Sequence, residues 1–220
     1  MIQPDEFRKK MKVFPHWKNF NHVWEWKINV ELDTSAYVLD ENHKKETYRR
    51  LCTILPRWQT YRNGNNSESL KTLKSSLDNI SEEYNKLRSY TLLDFDKIPF
   101  EILEKVWHEL GRVKEKDGNR NAGGYYSIIS ISKPLLLMWG QTPAFDSHVR
   151  KNMSKSYNIP KYACNWKLNE WIKIMKQLSK NLCADERLLG LMNEESEKRY
   201  GKKAIVPYGR FFDILYWKNE

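Results

Sequence analysis

The chain has 220 residues, 40% of them hydrophobic and 13% aromatic, enough apolar surface to fold around a core and too much for a disordered chain. Its formal net charge of +10 favours a polyanionic partner, nucleic acid before membrane. No apolar run approaches the roughly 20 residues needed to span a bilayer, no N-terminal segment pairs a basic start with an apolar stretch, and Cys52, Cys164 and Cys183 form no C-x-x-C spacing. Together these features predict a soluble intracellular protein, cytoplasmic or nucleoid-associated, with neither a disulfide framework nor a four-cysteine metal site.

Hydrophobic periodicity predicts a mostly helical chain. Pro4 to Phe14 puts Phe7, Met11 and Phe14 on one side. Asn19 to Leu32 carries a second apolar stripe, and Glu41 to Leu55 a third that stops at Pro56. Arg62 to Asn66 is a turn cluster. Ser67 to Leu87 is the clearest helix, with Leu70, Leu73, Leu77, Ile80, Tyr84 and Leu87 at alternating spacings of three and four. Pro99 opens a helix from Phe100 to Arg112. Lys114 to Gly124 is polar and glycine-containing, and is expected to join two lobes, 1–113 and 125–220, of one helical domain.

Tyr126 to Ile131 is β-branched and short, which leaves a strand and a buried helix segment both open. Ser132-Lys133-Pro134 reads as the start of an apolar helix over Leu135 to Trp139, closed by Gly140. Thr142-Pro143 is a turn, and Asp146 opens a helix from Ser147 to Tyr157. Helices follow over Asn165 to Leu182 and Asp185 to Tyr200. The apolar tail, Ala204 to Trp217, is expected to tuck into the core, with Arg210 and Asp213 placed to pair and hold it down. Between Ser147 and Lys180 there are eight Lys or Arg against a single acid, Glu170. That concentration suggests a phosphate-tracking face; a merely solvated helical face is the plain alternative.

The segment from Ser132 to Arg150 carries the chemistry. A lysine opens an apolar helix that ends at a glycine, a proline turn follows, and an aspartate opens a basic helix. Here the chain resembles the helix-hairpin-helix DNA glycosylase superfamily, in which a VDTHV-R type segment holds a catalytic aspartate; Phe145-Asp146-Ser147-His148-Val149-Arg150 is similar to it. The resemblance covers about Ile129 to Tyr157. It implies an all-α, two-lobed, glycosylase-like fold acting in base excision and DNA repair, on a base flipped from the duplex.

By that resemblance Asp146 would stabilise positive charge on the sugar or activate water, and Lys133 stands where some members form a Schiff base and also cut the strand. Nucleic-acid contacts are expected from His148, Arg150, Lys151 and Lys155, with Tyr125 and Tyr126 available for stacking. DNA is the expected partner, with no metal and no cofactor. The chain departs from the family in two places. Ser130-Ile131-Ser132, not a glycine hairpin, precedes the lysine, and lysine and aspartate are only 13 residues apart. A non-catalytic nucleic-acid-binding module with a degenerate glycosylase fold is therefore the alternative, and an interaction protein of a defence or mobile-element system a third reading. Glu25-Trp26-Lys27 has the E-x-K form of a metal-dependent nuclease, but the segment reads as helical and only Asp5 lies nearby.

Overall fold

The structure is a computed structural model that describes residues 3–14, 16–33, 35–60, 66–114, 125–157, 159 and 163–217. The described residues form eleven α-helices and one two-stranded antiparallel pair. The helices are α1 (Pro4–Val13), α2 (Trp17–Glu31), α3 (Lys44–Ile54), α4 (Asn66–Asn79), α5 (Ser81–Leu87), α6 (Phe100–Gly111), α7 (Ile128–Met138), α8 (Ser147–Tyr157), α9 (Leu168–Ala184), α10 (Glu186–Tyr200) and α11 (Tyr208–Tyr216), with a 3-10 segment over Leu92–Lys97. The strands are β1 (Tyr126–Ser127) and β2 (Asn165–Trp166), paired Tyr126 to Trp166 and Ser127 to Asn165. No helix among the described residues is long and apolar enough to cross a membrane.

One hydrophobic cluster runs through the described residues, taking in Trp24, Leu103, Leu137, Trp171 and Phe211. Helix α7 lies inside it. Of its eleven residues only Ile129 is not buried, the pattern of a helix that packs on all sides. The open reading of Tyr126 to Ile131 resolves as both alternatives. Two residues pair as β1, and the Ile128 amide continues the pairing by donating to the Cys164 carbonyl before the chain turns helical. The expected helix start at Pro134 is corrected accordingly. Pro134 is interior to α7, where it has no N–H to contribute to the helical ladder. Ser130 to Ser132 are helical, so no hairpin directly precedes Lys133.

Two further boundaries differ from the sequence reading. The long helix over Ser67 to Leu87 breaks at Ile80 (φ −104°, ψ 9°), although Leu73, Leu77, Ile80, Tyr84 and Leu87 are all buried as the periodicity predicts. Asn165 and Trp166 belong to β2, so α9 begins only at Leu168. The tail is helix α11, buried from Tyr208 to Leu215. The expected joint, residues 114 to 124, lies outside the described residues except for Lys114.

Candidate functional site

A cavity of about 360 Å³ opens where the α1–α2 junction, the turn after α3, α7, the start of α8 and α11 meet. Asp146, Lys133 and His148, three of the residues singled out from the sequence, line it together. Asp146 caps α8: its Oδ1 accepts the His148 and Val149 amides, both at 3.0 Å, satisfying two of the helix's otherwise unpaired donors. Its Oδ2 makes no hydrogen bond to the described residues, and the residue lines the cavity. Capping and presentation into the cavity are thus shared by one carboxylate.

The turn that delivers Asp146 is held from several sides. Phe145 has φ +47°, the left-handed region that a residue with a side chain rarely adopts. Such a conformation costs roughly 1–3 kcal/mol and persists only where its surroundings enforce it. Here the Phe145 ring is buried 5.1 Å from the Trp166 ring. The Ala144 carbonyl accepts from Ser132 Oγ, and the Ala144 amide donates to Asp213 Oδ1 at 3.2 Å. The Phe145 carbonyl accepts from Arg150 Nη1 at 2.6 Å. Gln59, the other non-glycine residue with positive φ among those described (+60°), also lines the cavity. Lys133 is buried mid-helix and its Nζ donates to the Trp58 carbonyl, tying α7 to that second strained turn.

Arg210 and Asp213 form the floor. The pair expected from the sequence is present and buried, Arg210 Nη1 donating to Asp213 Oδ2, while Arg210 Nη2 donates to the His16 carbonyl at 3.2 Å. The guanidinium carbon lies 4.6 Å from the Phe14 ring, 5.1 Å from Phe20, 5.3 Å from Trp58 and 5.7 Å from Trp17. It occupies an aromatic cage. Burial pushes the Asp213 carboxyl up to about 6, and the nearby Asp146 charge adds to this while Arg210 opposes it. Burial, then the Arg210 charge, lower the His16 imidazole below its ordinary value, which favours the neutral ring.

No protein-family model matches this chain. No curated protein and no solved structure matches it either.

Several expected contacts are corrected. Arg150, expected to contact nucleic acid, is buried: it is 4% exposed and its guanidinium donates to the Phe145 carbonyl. Tyr126 does not line the cavity. Its ring lies edge-on to Trp107 (6.4 Å) and His108 (5.6 Å) and covers Gly111, where a Cβ would sit 2.4 Å from it. Tyr125 is exposed, with Lys167 Nζ 4.7 Å from its ring centroid. Lys151 and Lys155 are exposed on α8, and Lys173, Lys176 and Lys180 on α9. The E-x-K segment lies on α2, where Lys27 is buried and pairs with Glu31 at 2.7 Å. His16, Arg57, Trp58, Gln59 and Trp217 join the site without having been foreseen. The one signal in the sequence was that two of these places follow a proline, Pro15 and Pro56.

Proposed function

We propose that this protein is a DNA glycosylase-like enzyme that excises a damaged or modified base. The observation that carries the reading is that Asp146 and Lys133, picked out by the motif, line one cavity of about 360 Å³, within the range of small-molecule sites. Breaking a glycosidic bond builds positive charge on the sugar, and the Asp146 oxygen that makes no hydrogen bond to the described residues is the group to stabilise it. The strained, braced turn before it supplies preorganisation. The exposed lysines of α8 and α9 supply the phosphate contacts.

Lys133 is assigned a supporting part. Its ammonium is engaged with the Trp58 carbonyl, so hydrolysis at Asp146 is proposed as the primary reaction and strand cleavage as secondary. One observation favours the alternative of a non-catalytic nucleic-acid-binding module: the residues before Lys133 are helical and offer no hairpin to grip a phosphate. Measuring abasic-site formation by wild type and Asp146→Asn on a panel of modified duplexes separates the two. Base release that depends on Asp146 supports the enzyme; salt-dependent binding without release supports the module.

A further inference from the structure

The charge lining the cavity bears on which bases it can take. A positively charged base, such as a ring-alkylated purine, is held by aromatic faces through cation–π attraction. Most of the indole and phenyl surface at this cavity is already taken by a cation, and among the described residues Trp217 is the lining ring of that kind outside the cage. Arg210 sits among Phe14, Phe20, Trp17 and Trp58, and Phe14 and Trp58 are themselves part of the cavity wall. Among the described lining residues, the cations Arg57, Lys133 and Arg210 outnumber the carboxylates Asp146 and Asp213. Arg210 and Asp213 balance each other as a buried ion pair and Lys133 balances Asp146, so the excess positive charge of the wall is that of Arg57, which is exposed at its rim.

We propose that the cavity selects an uncharged, carbonyl-bearing base, which departs as an anion, over a cationic alkylated base. This rests on the base-excision reading and names its substrate class. In the reaction the C1′–N bond breaks and its electron pair leaves on the base nitrogen. The water oxygen bonds to C1′, one water proton passes to the Asp146 carboxylate and on to solvent, and the departing nitrogen takes a proton from solvent. Positive groups around the base stabilise the anion as it forms and repel a base that begins as a cation. Asp146, at the sugar, stabilises the opposite charge on the other side of the breaking bond.

Two measurements test this. The first is single-turnover base release from duplexes carrying one uracil, one 8-oxoguanine or one 7-methylguanine, each expressed as acceleration over spontaneous loss. An uncharged oxo-base is expected to be accelerated about tenfold or more beyond the cationic base, and Arg57→Glu, which turns the net charge of the wall negative, to erase that preference. The second follows the Trp58 indole resonance during titration with xanthosine, an anion at neutral pH, or 1-methyladenosine, a cation. Xanthosine is expected to shift the resonance at concentrations where 1-methyladenosine does not. Preferential acceleration of 7-methylguanine overturns the charge selectivity while leaving base excision intact. An equal response to both nucleosides, or a response to neither, also overturns it. If no duplex loses a base yet xanthosine alone binds, base excision falls and the selectivity stands.

Discussion

Asp213 accepts a hydrogen bond from the Ala144 amide, two residues before Asp146, and so links α11 to the turn that presents the candidate carboxylate. Four residues earlier on the same helix, the Gly209 amide donates to the Gly140 carbonyl at 2.8 Å. A Cβ at Gly209 would lie 2.4 Å from the Thr142 nitrogen and 2.5 Å from the Gln141 carbonyl carbon. One face of α11 therefore backs the whole connection from α7 to α8.

Gly209→Ala is expected to push α11 off that connection, because the clash is with backbone that cannot rotate away. A loss of about 1–3 kcal/mol in urea unfolding is predicted, the range for overpacking a tight contact. Hydrogen exchange at the Ala144 amide should accelerate in the same variant. Native stability with unchanged exchange would show that the close approach is not needed.

The buried pair makes stability depend on pH in a direction that follows from Asp213. Its carboxyl, raised to about 6, binds its proton more tightly in the folded protein than in the unfolded chain. Its contribution to stability is fully present below the unfolded value near 4 and is lost as pH rises through about 6. Arg210→Met removes the cation that compensates the ionised form. A destabilisation of about 3–5 kcal/mol is expected at pH 8, where an unpaired buried carboxylate remains. At pH 5 a smaller loss is expected, since protonated Asp213 needs no ionic partner. Denaturation curves at the two pH values check this, and an equal loss at both contradicts it.

The same geometry divides the basic residues of α8 into two kinds. Lys151 and Lys155 are exposed, whereas Arg150 is enclosed and bonded to the Phe145 carbonyl. Replacing both lysines by Gln is expected to weaken DNA binding and to reduce the slope of log affinity against log salt by about 0.9 for each phosphate that is no longer neutralised. Arg150→Ala should act chiefly on stability, leaving the Phe145 carbonyl without its donor, and should leave the salt slope of the folded protein nearly unchanged. Salt titrations beside thermal melts distinguish the two effects.

How far the sequence could be read follows from the range of the forces involved. Leu73, Leu77, Ile80, Tyr84 and Leu87 announce their buried face because helical spacing is a local property. The Asp146 cap is likewise local, since aspartate followed by a basic amphipathic stretch is a helix-start pattern. Pro134 misled because proline is favoured in a first turn, yet α7 tolerates it mid-helix with tertiary packing on all sides. Arg150 misled because arginine is rarely buried, and only the fold shows that a strained carbonyl awaits its guanidinium. His16, Trp58 and Trp217 come from segments far apart in the chain, and no local pattern says that they meet. The cage around Arg210 draws on Phe14, Trp17, Phe20 and Trp58 in the same way.

The central claim is that Asp146 does chemistry as well as capping, and one substitution isolates the chemistry. Asparagine keeps the side-chain shape and can still accept the His148 and Val149 amides, so Asp146→Asn should leave the melting temperature and DNA affinity nearly unchanged. The decisive measurement is the single-turnover rate of abasic-site formation by this variant and by wild type, on a duplex carrying an uncharged oxo-base. A fall of about 10²-fold or more in a folded, DNA-binding protein is the predicted result, the scale seen when one preorganised charge-stabilising group is lost. Equal rates in the two proteins, or no base release by wild type on any duplex of the panel, would contradict the account and leave Asp146 as a helix cap in a nucleic-acid-binding module.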